Sequence, residues 1–158
     1  MSAVTLIDTA MLDAISASAR ASARLRVNRN FHPNNEFPAH RLLIGIEPGS
    51  YVRPHRHLDP NKSETMTALR GRLGLVIFNE AGELAQTILL DPRGATLGVD
   101  IPHGTYHTVL ALEPDSIFME AKAGPYAPPS EGEFAAWAPA EGDPQFGPYL
   151  EKLKNLFD

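Results

Sequence analysis

The sequence contains no cysteine. That excludes a disulfide framework and any thiolate metal site, so a metal held by this chain has to take nitrogen and oxygen ligands. No apolar run approaches the ~20 residues of a membrane helix. The start of the chain lacks the basic flank and continuous apolar stretch of a secretory signal. Together these absences make a soluble, cytoplasmic protein with no membrane partner the expectation. A cationic excess is missing too: the net charge is −5, so no nucleic-acid partner is expected. Internal repeats and low-complexity tracts are also absent. What is present is 43% hydrophobic residues over 158 positions, enough for one real core in a single domain with extensions.

Three zones follow one another. Residues 8–25, "DTAMLDAISASARASARL", are alanine-rich with Met11, Leu12, Ile15 and Leu25 apolar. They read as a short helix capped by Asp8 or Thr9. Residues 1–38 as a whole are expected to be this helix and a lead-in segment packed on the next zone. Residues 39–123 carry short apolar or alternating runs: "HRLLIGIE", "TMTALRG", "RLGLVIFN", "LAQTILL", "ATLGVDI", "YHTVLALE" and "SIFMEAK". Turn signals separate them, among them "NEAGE" with Gly82, and no room is left for helices. That spacing predicts an antiparallel sandwich or barrel. Residues 124–158 form a proline-rich wrap ending in "YLEKLKNLF", a short amphipathic helix with Leu150 and Leu153 on one side.

The chemistry concentrates in "RPHRHLDPNKSETMTALRG", residues 53–71. Side chains alternate faces along a strand, so His55 and His57 project the same way, either to bite one metal ion or as two solvated surface histidines. After the turn-rich "LDPNKS", an antiparallel return brings Glu64 near them. His107, in "PHGTYHTVLA", opens another strand. Three imidazoles and one carboxylate suit a first-row divalent ion, Fe, Mn, Ni, Co or Zn.

The stretch resembles the first cupin motif, with Gly49, His55, His57, Glu64 and Gly71 in order. The six-residue gap from His57 to Glu64 is longer than cupins commonly have, so the loop must bulge. Pro102, Gly104 and His107 resemble the second motif, whose closing asparagine is Ala111 here. The resemblance implies an all-β fold: one cupin jelly roll, or double-stranded β-helix, over 39–123. It also implies one divalent metal, Fe, Mn, Ni or Zn, on His55, His57, Glu64 and His107. Over nearly the whole chain, "EPGSYVRPHRH", "SETMTALRGRLGLVIF" and "GPYAPPSEGEFAAWAP" are similar to the WbuC-type cupin metalloproteins, associated with O-antigen polysaccharide gene clusters.

Other residues are placed by parity. Arg53 shares the face of His55 and is a candidate for gripping an anionic ligand. Met66 and Val109 share the parity of Glu64 and His107 and are expected to line the cavity. Glu120 and Lys122 alternate together on their strand. The resemblance implies that "RNFH" packs near the barrel, with Asn30 or Phe31 as candidates for the pocket wall; His40 is a candidate for a hydrogen-bonded or surface position, and Trp137 for an anchor of the wrap. The expected function is a metal-dependent enzyme on a small anionic or hydroxyl-rich, sugar-derived molecule, of isomerase type with Glu64 moving a proton. An Fe(II) oxygenase and a non-catalytic metal- or sugar-binding cupin are the alternatives. An exposed sheet edge makes a homodimer the expected assembly.

Overall fold

Alternation of apolar and polar residues, repeated along the middle of the chain, produces strands with one face to bury. A computed structural model describes residues 3–158. Eight strands run β1 (Arg26–Asn30), β2 (Ala39–Ile46), β3 (Glu64–Arg70), β4 (Leu73–Phe78), β5 (Leu84–Leu90), β6 (Gly98–Ile101), β7 (Tyr106–Ala111) and β8 (Ser116–Ala123). They form two antiparallel sheets, of order β1-β2-β8-β3-β6 and β5-β4-β7. The sheets sandwich a core in which Ile46, Met66, Leu73, Leu75, Val109 and Phe118 are buried. This is the expected all-β jelly roll, and its ladders make two separate sheets rather than one continuous cylinder.

All seven expected strands form. The eighth, β1, lies in the lead-in segment, where "RVNRN" gives no apolar signal. It exists because it pairs with β2 from Arg26↔Ile46 to Asn30↔Leu42. Pairing supplies what β-propensity does not, since asparagine is a poor strand former.

Both outer faces are covered by the chain's own extensions. Helix α1 (Thr9–Ala21) starts at Asp8, whose side chain accepts from the Met11 N–H at 2.9 Å. It buries Ile15 against Leu43 and Ile117 on the outer face of the larger sheet. The approach is close: a methyl at Gly45 would stand 2.6 Å from Ile15 Cγ2. The helix ends at Ala21, four residues short of the expected span, because Leu25 must turn with φ 54° to enter β1. On the other side, the wrap and helix α2 (Phe146–Lys154) set Ala135, Ala138, Leu150 and Leu153 against Val76, Phe78 and Leu110. Trp137 is the anchor expected of it, its ring centroid 4.8 Å from that of Phe78 at a tilt of 54° and its indole closing on Gly82. Strand β4 is therefore buried on both faces. No helix among the described residues is long and apolar enough to cross a membrane.

Candidate metal centre

The segment that carries His55 and His57 is not a regular strand. Pro54 has no N–H to give a ladder, and only His55 forms bridges, to His107 on one side and Phe134 on the other. Those bridges do the positioning. His55 N–H donates to the His107 carbonyl at 3.0 Å and His107 N–H to the His55 carbonyl at 2.9 Å. Two residues exchanging both bonds lie opposite one another with their side chains on one face. On the far side, Arg56 N–H donates to the Glu133 carbonyl and Ala135 N–H to the Pro54 carbonyl, both at 2.9 Å. The wrap thus serves as the third strand of this patch.

Glu64 opens β3 opposite Lys122 and Ile101. The long loop after His57 does return the chain, so one donor atom from each of His55, His57, Glu64 and His107 lies within 4.8 Å of the others. Glu64 and His107 are each 1% exposed. The ring orientations are held from outside. Nδ1–H of His55 donates to the Arg53 carbonyl at 2.9 Å, and Nδ1–H of His107 to the Thr105 carbonyl at 2.9 Å. Both therefore turn an Nε2 lone pair inward, the arrangement that outer hydrogen bonds impose on metal-ligating imidazoles. His57 Nε2 lies 3.2 Å from Glu64 Oε2, with its Nδ1 3.9 Å from Glu133 Oε2. Glu64 Oε1 and His107 Nε2 stand 2.5 Å apart, yet neither buried atom has a hydrogen-bond partner in fitting geometry. Two facing acceptors without a proton donor are a costly arrangement that a cation relieves. The donor set and these orphaned atoms fit a divalent first-row ion.

The electrostatics follow from burial. Enclosure, and next the neighbouring His107, push the His55 imidazole down to about 3, so it is neutral and free to ligate. Glu120 goes the other way: burial, then the Glu64 carboxylate, push it up to about 8. Lys122 Nζ sits 3.3 Å from Glu64 Oε2 and 3.6 Å from Glu120 Oε1. Burial disfavours its charge, but these two carboxylates prevail and raise its pKa.

His55, His57, Glu120 and Lys122 open onto a cavity of about 510 Å³. Its wall takes residues from β1, β2, β8, the 59–62 loop and the wrap at 125–133. Asn30 lines it, as expected, and Asn28, His32, Asn35 and Tyr126 join it. The sequence reading missed these four; the signal was the i, i+2 spacing of Asn28 and Asn30, legible only once β1 is a strand. His40, expected at a hydrogen-bonded or surface position, is a buried wall residue whose Nε2–H donates to the Asn35 carbonyl at 3.1 Å.

Three expected ligand-contacting residues are placed elsewhere. Arg53 is not at the cavity: its Nη2 donates to the Ala135 carbonyl at 2.8 Å, and its guanidinium lies 5.2 Å from the Phe134 ring centroid. Parity fails because the wrap, a neighbour absent from the parity argument, captures the side chain. Met66 and Val109 have the expected parity but lie one strand repeat deeper, about 7 Å along, inside the apolar core.

Comparison with known proteins agrees with the architecture. The family model described as "Domain of unknown function (DUF6016)" matches residues 7–90, more than half of the sequence. The chain belongs to this family. No functionally curated protein matches it. Among solved structures it is similar to the conserved SPY1581 protein of unknown function from Streptococcus pyogenes, at 12% identity and TM-score 0.52, over 80% of this chain and 93% of that one. It is also similar to an RmlC-like cupin family protein with a double-stranded β-helix fold from Methanocaldococcus jannaschii, at 15% identity and TM-score 0.48, over 65% and 84%. A cupin-2 domain containing protein from Shewanella frigidimarina aligns at 22% identity and TM-score 0.46, over 61% and 79%. The streptococcal likeness spans four-fifths of this chain and nearly all of that one, and shows a shared fold, not a shared activity.

Proposed function

We propose that this DUF6016 chain is a metal-dependent enzyme acting on a small anionic or sugar-derived molecule. The observation that carries the reading is the facing pair of buried, unpartnered acceptors, Glu64 Oε1 and His107 Nε2, inside a three-histidine, one-carboxylate set. A divalent ion held there supplies Lewis acidity and a template for oxygen ligands. Glu64 lies at the closed end of the set and serves as ligand. The proton-holding role first expected of Glu64 passes to Glu120, which lines the cavity with Lys122 beside it. A carboxyl raised by burial holds a proton at neutral pH and can exchange it with a bound ligand. This is the isomerase reading, and the similarity to WbuC-type cupins supports a setting in O-antigen polysaccharide metabolism. A non-catalytic metal- or sugar-binding role is favoured by one observation: Lys122 already engages Glu120 and Glu64, the two buried carboxylates of this region.

Elemental analysis of protein purified without a nickel-loading tag tests the reading. One equivalent of zinc or manganese supports the isomerase, iron the oxygenase, and no first-row metal removes both. We further propose a cytoplasmic homodimer. With the outer sheet faces covered by α1 and α2, the β5 edge and its exposed Leu84 and Leu89 remain for association. Sedimentation showing only monomer at micromolar concentration removes that assembly.

A further inference from the structure

Resting on the proposed metal-centred site, we infer that the β1 side of the cavity is a subsite for an uncharged, polyhydroxylated portion of the ligand. The inner face of the five-stranded sheet runs in register across four strands. One row is Met66, Glu120, Leu42 and Asn30; the next is Ala68, Phe118, Ile44 and Asn28. On β3, β8 and β2 this face is largely apolar. On β1 it ends in two exposed asparagines that line the cavity. A strand needs no such residues for stability.

The floor beside them is built. His32 and His40 are 7% and 8% exposed, and their rings stack at 3.9 Å and 9°. The N–H and the carbonyl of Arg41 each lie 3.2 Å from His32 Nδ1, which fixes that ring against β2. Burial, then His32, hold the His40 imidazole below its ordinary value. The stacked pair lines the cavity beside the asparagines. The opposite wall is fixed by Tyr126, whose N–H donates to the Asn35 carbonyl at 2.7 Å.

The cations near this chamber are committed. Lys62 Nζ donates to the Pro125 carbonyl at 2.7 Å, and Arg56 pairs with Glu80 at 2.8 Å while donating to the Gly132 carbonyl. Of these cations only Lys62 lacks a carboxylate partner, and Asp59, Glu120 and Glu133 line the same cavity, so an anionic group gains little there. An apolar group would leave the amides desolvated and unpaired. A hydroxyl is donor and acceptor at once, and so is a primary amide. A volume of 510 Å³ exceeds that of a dozen waters at about 30 Å³ each, so the cavity has room for a ligand reaching from the metal cluster to β1.

Calorimetric titration of Mn(II)-loaded protein with D-gluconate and with hexanoate tests this. The two acids share a carboxylate and a six-carbon chain and differ in hydroxyls. Gluconate is expected to bind at least tenfold more tightly. The double variant Asn28→Ala, Asn30→Ala should lose about tenfold in gluconate affinity, the worth of a net hydrogen bond or two, while its metal equivalents and its hexanoate affinity stay unchanged. Equal affinity for the two acids, no binding of gluconate, or gluconate affinity untouched in the double variant overturns the subsite. Metal content is measured on the same samples, and the titrations are repeated on metal-free protein. Discrimination that persists in a protein taking up no metal overturns the metal reading alone.

Discussion

Two ends of one sheet face are built from the same strands at the same parity and have opposite chemistry. At one end, Glu64, Lys122 and His40 stand in one register row across β3, β8 and β2. Two rows further on, the same strands present Ala68, Phe118 and Ile44. The distance between them is about 14 Å of extended chain. The charged row survives burial because each group meets an opposite charge or a ring nitrogen, as Lys122 does Glu64 and Glu120. The apolar row needs only volume and fit. The metal end is thus fixed by directional bonds and the core end by packing, and damage to one should leave the other standing.

The sharpest break at the metal end is His55→Ala with His107→Ala. It should abolish stoichiometric metal while the fold persists, read by elemental analysis beside near-ultraviolet circular dichroism. A double variant keeping a full equivalent would place the site elsewhere. At the core end, Phe118→Ala should cost about 3–5 kcal/mol in urea unfolding, with the folded fraction still binding one metal. Loss of metal in that variant would show that the two ends are not separable.

Smaller effects sharpen the charged row. Lys122→Met leaves Glu64 and Glu120 facing each other without their cation. It should destabilise the metal-free protein by about 2–3 kcal/mol, less than a fully buried pair because the lysine is one-fifth exposed. With Glu120 already holding its proton, the cost comes from the uncompensated Glu64 carboxylate, and a cost near zero would mean that Lys122 gives Glu64 no net stabilisation. The last test uses pH on metal-free protein. Glu120 is raised from 4.5 to about 8, so the folded state binds this proton more tightly than the unfolded chain. Its contribution to stability is full below pH 4.5 and is lost as pH rises to about 8, by at most about 1.4 kcal/mol per pH unit. Glu120→Gln should remove that slope. His55, lowered from 6.5 to about 3, works the other way: its contribution is present above pH 6.5 and is lost as pH falls toward 3. Chemical unfolding of wild type and Glu120→Gln across pH 4–9 reads both limbs, and parallel curves would reject the assignment to Glu120.

Much of this was legible in particular residues. His55, His57, Glu64 and His107 were singled out by same-face parity together with the likeness to both cupin motifs. Seven strands were legible from alternation, and α1 from its cap and apolar spacing. Strand β1 was not, because "RVNRN" buries almost nothing and is a strand only through its partner. Arg53 pointed to the cavity by parity and was captured by the wrap. Met66 and Val109 had the right face and the wrong depth, since period-two reasoning gives direction but not distance from the ion.

The sequence by itself determined the jelly roll and the identity of the four candidate metal donors. Both depend on patterns local to a strand or a turn, where the period of side chains is set by covalent geometry. Only the tertiary structure decided the rest: the opposed lone pairs of Glu64 and His107, the amide wall of β1, the covering of both outer faces, and the burial of Glu120 beside Glu64. Each of these is a meeting of segments far apart in the chain, and its energy comes from desolvation and partner geometry that no local pattern encodes.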